Sequence, residues 1–191
     1  MKKTILFLFL LAGSATHAQS VKAGIKAGAN FSNFTGGDFD AVEKKAIVGF
    51  HGGGFLNFSF GALSLQPEAL VSTQGARIDS ATRSYDWKLT YLTIPVMLKL
   101  RSPVGFYAEV GPQVGFKLGE NVSDETIGDF AKNLDLSAGA GLGFQTKGGL
   151  GIGARYLVGL SKVGDFEPSS GIDPDFKNSV IQVGLSIGLG K

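Results

Sequence analysis

The sequence predicts an all-β protein, an eight-stranded antiparallel up-and-down transmembrane β-barrel. Three observations predict it. Eight segments alternate apolar with polar or small residues at period two, the mark of a strand with one apolar face. The connections between them alternate long and short, as in outer-membrane barrels, where tight turns line the periplasmic rim and longer loops lie outside. The less apolar face is built largely of glycine with few charges, which suits a narrow, filled interior better than a solvated surface. Glycine accounts for 29 of 191 residues, about twice average usage, and follows no collagen period.

The N-terminus sets the compartment. Lys2 and Lys3 precede an apolar run, ILFLFLL at 5–11, and Thr16-His17-Ala18 offers small residues ahead of a cut before Gln19. This is the pattern of a cleaved secretory signal over residues 1–18, leaving 19–191 as the barrel domain. The apolar run is too short to span a bilayer as a helix. The chain has no cysteine, which excludes disulfides, a thiol nucleophile, a cysteine metal site and a lipoprotein anchor. Loss of residues 1–18 removes two lysines, so 18 basic residues fall to 16 against 16 acidic ones. The sequence pI of about 8.8 therefore owes much to the signal and gives no support for nucleic-acid binding.

The segments follow in order. The first, from Val21 to Phe34, sets Val21, Ala23, Ile25, Ala27, Ala29 and Phe31 against Lys22, Gly24, Lys26, Gly28, Asn30 and Ser32. A polar loop, 35–45, leads to the second, where Val48, Phe50, Leu56, Phe58 and Phe60 alternate with Gly49, His51, Gly53, Phe55, Asn57 and Ser59. A tight turn near Gly61 opens the third, with Leu63, Leu65, Pro67, Ala69 and Val71 opposed to Ser64, Gln66, Glu68, Leu70, Ser72 and Gln74. A second long loop is expected over 77–86.

The fourth and fifth segments form the clearest hairpin of the chain, within 87–118. Leu92, Ile94, Val96, Leu98 and Leu100 oppose Tyr91, Thr93, Pro95, Met97 and Lys99. After a turn holding Pro103 and Gly105, Phe106, Ala108, Val110, Pro112, Val114, Phe116 and Leu118 oppose Tyr107, Glu109, Gly111, Gln113, Gly115 and Lys117. Proline cannot donate to a ladder, so Pro95 and Pro112 are expected at bulges or local breaks in pairing. An acidic loop, 119–132, precedes the sixth segment, where Leu134, Leu136, Ala138, Ala140, Leu142 and Phe144 oppose Asp135, Ser137, Gly139, Gly141, Gly143 and Gln145. Gly148-Gly149 is a two-residue hairpin signal. The seventh carries Arg155 among glycines, opposite Leu150, Ile152, Ala154, Tyr156, Val158 and Leu160. A last loop, 162–176, leads to the eighth, with Ile181, Val183, Leu185, Ile187 and Leu189 on its apolar face.

In a soluble barrel the apolar faces would turn inward; here the glycine-rich face is the one that fits the interior. The small residues leave room for a few long ones: Lys22, Lys26, Glu68, Lys99, Glu109, Lys117, Asp135 and Arg155. Buried charges require partners, and these five bases and three acids are expected to form a structural charge network in the lumen.

Several motifs at 65–75 and 91–115 resemble the PorT-like outer-membrane β-barrel family. Tyr91-Leu92-Thr93-Ile94-Pro95-Val96-Met97-Leu98-Lys99 is similar to its Y-L-x-I-P-x-x-L-K strand, and Val110-Gly111-Pro112-Gln113-Val114-Gly115 to the G-P-x-x-G strand that follows. Leu65-Gln66-Pro67-Glu68-Ala69-Leu70 with Gln74-Gly75 resembles the preceding strand, and Gly28-Ala29-Asn30-Phe31 the opening one. The resemblance implies an eight-strand barrel in the outer membrane and, for most members, no defined biochemical activity. The C-terminus departs from many such barrels, which end on an aromatic residue where this chain has Leu189-Gly190-Lys191.

Catalytic signals are weak. His51, the one histidine left after signal cleavage, reads as a hydrogen-bonded interior residue more readily than as a general base. No serine, histidine and acid share a spacing that points to a triad. Glu68 and Glu109 read as ion-pair partners of lysines on neighbouring strands. Gly139-Ala140-Gly141-Leu142-Gly143 lacks the strand-to-helix context of a nucleotide loop. The acidic loops, with Glu120, Asp124, Glu125, Asp129, Asp173 and Asp175, match no EF-hand spacing and read as solvated charge. The expectation is therefore a monomeric, non-enzymatic outer-membrane barrel without cofactor or metal. Its polar lumen is plugged, it is embedded in outer-membrane lipids, and it has a structural or interaction role towards envelope proteins through its loops. A small passive channel or a component of a secretion or assembly system is the alternative.

Overall fold

Alternating polarity resolves into eight strands: β1 (Ser20–Thr35), β2 (Glu43–Phe60), β3 (Leu63–Ser80), β4 (Arg83–Arg101), β5 (Phe106–Val122), β6 (Leu134–Gln145), β7 (Leu150–Gly159) and β8 (Lys177–Leu189). The structure is a computed structural model describing residues 20–35, 43–80, 83–122, 134–161 and 177–189. The expected signal over 1–18 and most of the acidic loop residues lie outside the described residues. The strands follow one another in sequence order around a closed barrel. Every neighbouring pair is antiparallel, and β1 closes on β8 from Ala23↔Leu189 to Thr35↔Lys177.

The two faces are inverted relative to a soluble protein. Phe50 is 70% exposed while its neighbour His51 is 3% exposed. The same alternation runs round the barrel: Val71, Leu98, Val110, Leu142 and Val183 point outward, whereas Ser72, Gln113, Arg155 and Gln182 are buried inside. A continuous apolar belt of this extent could not persist in water, and its place is the hydrocarbon of a bilayer. The interior is more mixed than the composition suggests. Leu70, Met97, Tyr91 and Leu157 are buried within it alongside the polar residues, filling volume that the glycines leave.

Three tight turns join β2 to β3, β4 to β5 and β6 to β7. Each contains one glycine at positive φ, Gly61, Gly105 and Gly149, a backbone region costly for residues with a Cβ. The other end differs from expectation. The loop expected over 77–86 is mostly strand: the β3–β4 ladder continues through Arg77↔Asp86 and Asp79↔Ser84, leaving only 81–82 between the two strands. Similarly, β2 begins at Glu43 and β5 runs on to Val122, shortening the loops expected over 35–45 and from 119. Polar, turn-like residues concealed a ladder there, because a hairpin outside the membrane needs no apolar face.

The prolines fall at breaks in the ladder and not at bulges. Pairing between β2 and β3 skips from Phe55↔Glu68 to Phe58↔Leu65 at Pro67. Between β3 and β4 it skips from Pro67↔Val96 to Leu70↔Thr93 at Pro95. Between β4 and β5 it skips from Pro95↔Gln113 to Leu98↔Val110 at Pro112. Register is the same on both sides of each gap. The true register shifts lie elsewhere, between Ala46 and His51 and between Thr90 and Tyr91.

The membrane belt makes a depth-dependent prediction. Val110→Arg, on the lipid face of β5, is expected to destabilise the barrel by about 2–4 kcal/mol, and Val104→Arg, in the exposed turn, by about 0–1 kcal/mol. Denaturant unfolding in liposomes measures both, and equal costs would contradict the placement of the belt.

Candidate functional site in the lumen

The inward side chains of five strands converge on one charged cluster. Lys26 comes from β1, Glu68 from β3, Lys99 from β4, Glu109 from β5 and Arg155 from β7. Strand pairing puts four positions in one row around the wall: Lys99 opposite Glu109, Glu109 opposite Gly141, and Gly141 opposite Arg155. Gly141 is the residue that lets this row close up. A Cβ there would lie 3.1 Å from Glu109 Oε1 and 3.2 Å from the Arg155 Cα, so a larger residue would obstruct the reach of Arg155 over β6 to Glu109.

Arg155 is the hub. Its Nε donates to Glu109 Oε1 at 2.7 Å, while Nη1 and Nη2 donate to Glu68 Oε2 at 3.1 Å and Oε1 at 2.7 Å. The second contact is the bidentate fork that guanidinium makes with a carboxylate. Lys26 Nζ approaches Glu68 Oε2 at 3.5 Å, and Lys99 Nζ lies 3.1 Å from Glu109 Oε2. Lys99 also sits 4.4 Å from the centre of the Tyr107 ring, within cation–π range. Gln66 donates to Glu68 Oε1 at 2.9 Å, and Asn57 donates to Gln66 Oε1 at 3.1 Å, extending the network towards the short-turn end.

Towards the other end lies a second polar group centred on Asn30. Its amide donates to Phe50 O, Ser72 Oγ and Thr73 O, so its carbonyl oxygen is left to accept from His51 Nδ1 at 2.7 Å. That arrangement puts the proton of neutral His51 on Nδ1 and its lone pair on Nε2, which is buried without a partner in the structure. Gln113 and Gln182 also present buried amides, so ordered water suits this half of the lumen.

Of the eight residues predicted to form the lumen network, five meet at Arg155. Asp135 and Lys117 face inward nearer the long-connection end, where Ser137 Oγ donates to Asp135 Oδ2 at 2.9 Å. Lys22 lies at the short-turn mouth and makes no ion pair among the described residues. His51 bonds to Asn30 and not to a carboxylate. Among the described residues no group of three or more His, Asp and Glu could hold a metal ion. Sequence reasoning placed Tyr107 on the inward face without giving it a role, and it did not single out Arg101, which shares the parity of Lys99, or Lys147 beside the Gly148-Gly149 turn.

A closed sheet with a lipid-facing belt and a charged interior defines a small integral membrane barrel. The family model for the outer membrane protein beta-barrel domain matches residues 17–165, and the chain belongs to that family. Its place is the outer membrane. Solved structures are similar in fold. Neisserial surface protein A (NspA) aligns at a TM-score of 0.55 and 13% identity, covering 88% of this chain and 98% of NspA. Ail, the attachment invasion locus protein of Yersinia pestis, in complex with the heparin analogue sucrose octasulfate, aligns at 0.52 and 19%, covering 89% and 99%. OprG from Pseudomonas aeruginosa aligns at 0.52 and 9%, covering 91% and 98%. No curated protein matches the sequence significantly.

Removing the hub leaves two carboxylates buried with only the lysines to compensate them. Arg155→Met is expected to cost about 3–5 kcal/mol, because breaking a buried pair strands the partner charge. Adding Glu68→Gln to Arg155→Met should recover part of that loss. Urea unfolding of the single and double variants measures the coupling, and additive effects would show that the contacts are not energetically linked.

Proposed function

We propose that this protein is a monomeric outer-membrane barrel with a plugged lumen that acts as an interaction platform through the end bearing its long connections. The short turns face the periplasm and the long connections face outward. The observation that carries this reading is the excess length of β2 to β5. A bilayer needs about 9–11 residues per tilted strand, whereas β3 and β4 have 18 and 19. Their ladder continues to Ser80↔Arg83, and β5 stays paired to β4 as far as Val122, beyond its last pair with β6 at Phe116↔Leu134. These strands form a projecting sheet whose edges, on β2 before Ile47 and on β5 after Phe116, have no strand partner among the described residues, a form suited to recognising another chain by strand addition. One similar barrel, Ail, is an attachment invasion protein, in keeping with this reading.

The Arg155 cluster supports the plugged lumen, since it joins β1, β3, β4, β5 and β7 across the interior with side chains that are largely buried. The protein is read as non-enzymatic, with no cofactor and no nucleic-acid partner. Within its family we place it in the PorT-like branch on the motifs at 65–75 and 91–115, with a signal over 1–18 removed by cleavage.

Co-purification from native outer membranes tests the platform. Envelope proteins are expected to associate with the full chain and to be lost when residues 76–86 are replaced by a two-residue turn, while the heat-modifiable folded band remains. Undiminished association would end the proposal, and recovery of secretion components would assign the partner class. Planar-bilayer recordings are expected to show no steady conductance; a stable open level would establish the channel alternative. N-terminal sequencing of the mature protein should begin at Gln19.

A further inference from the structure

A cavity of about 540 Å³ opens at the short-turn end, below the Arg155 cluster. Its lining includes the cations Lys22, Lys99, Arg101 and Lys147 and no carboxylate. Of these four, Lys99 alone has an acidic partner among the described residues, Glu109 at 3.1 Å. Arg101 donates to the neutral amide of Gln145 at 3.1 Å, and Lys22 and Lys147 make no ion pair among the described residues. The cluster above adds to the imbalance, because Lys26, Lys99 and Arg155 face two carboxylates, Glu68 and Glu109. A recess of one sign, enclosed by a low-dielectric wall, focuses field and concentrates ions of the opposite sign. Asn57, Gln145 and the rings of Phe55 and Tyr107 complete the lining with hydrogen-bonding and flat apolar surface. The volume falls within the range of small-molecule sites.

We propose that this vestibule binds a small ligand bearing two or more phosphate or carboxylate groups. Lys22, Arg101 and Lys147 supply charge that no acid among the described residues neutralises. Selectivity is by charge: neutral and cationic solutes of equal size gain nothing from the field. The binding does not depend on the platform proposed above; only the compartment that supplies the ligand rests on the orientation given there.

The test is calorimetric titration of the full barrel, in nanodiscs of phosphatidylcholine at low salt, with inorganic pyrophosphate. Saturable one-to-one binding is expected, weakening as salt rises. The triple variant Lys22→Gln, Arg101→Gln, Lys147→Gln should bind about tenfold or more weakly, and Lys117→Gln, at the far end, within about twofold of the parent. If the triple variant lacks the heat-modifiable band, Lys147→Gln alone, in an exposed turn, should still weaken binding about threefold. Repeating the titration in nanodiscs containing cardiolipin, whose headgroup carries two phosphates, separates the ligand sources. Competition by the lipid identifies an anionic headgroup as the natural occupant, and unchanged affinity identifies a free solute. Absence of saturable binding, or equal binding by parent and variants, overturns the proposal.

Discussion

An unpaired backbone amide in hydrocarbon costs several kcal/mol, with no water to satisfy it. The rest of this structure depends on meeting that cost, and the β1–β8 ladder is where it is met. Without that last pairing two strands would present open edges to lipid. Closure also fixes parity, because a slip of one residue in any ladder would turn its lysines and glutamates to the lipid and its leucines to the lumen. The two register shifts are accordingly remote from the short turns. They fall at Ala46/His51 and Thr90/Tyr91, about a bilayer-spanning strand away from the nearest tight turn.

Once the chain is closed, the interior must settle its own electrostatics. Glycine and charge are two parts of one solution. A narrow barrel lined throughout by large side chains would have no room for a guanidinium to reach carboxylates on two different strands. Gly141, lying between Glu109 and Arg155 in the row of paired positions, provides that room at the cost of a side chain that could have packed. The bidentate contact to Glu68 then ties β7 to β3 across the lumen, a link between walls that share no backbone hydrogen bonds.

The strands of the belt were legible because membrane burial imposes one rule on every alternate residue from Val21 to Leu189. The charged set was legible for the same reason: Lys26, Glu68, Lys99, Glu109 and Arg155 all fall on the inward parity of their strands. Which acid meets which base was not. Glu68 and Arg155 are 87 residues apart, and their meeting depends on strand tilt and stagger that no local pattern records. The region 77–86 was misread because turn chemistry and an extramembrane hairpin use the same polar residues. Leu70, Met97 and Leu157 have the inward parity and are buried, although alternation alone does not say that they fill the volume the glycines leave. Arg101 and Lys147 adjoin turns, where a charge ordinarily signals nothing but solvent.

Pro67, Pro95 and Pro112 stand on three successive strands, and each interrupts pairing with the strand before it while keeping its partner on the strand after. Pro67 is opposite Val96, and Val96 lies within the gap made by Pro112. The interruptions therefore meet along one oblique line through the wall from β2 to β5. Along that line the ladder lacks pairs that the rest of the wall has, so its resistance to shear is lowest there. Amides flanking the three gaps should exchange with solvent deuterium through smaller openings than those of β6 to β8. A barrel that is otherwise a uniform hoop thus has a compliant sector, and deformation from outside would be taken up there first.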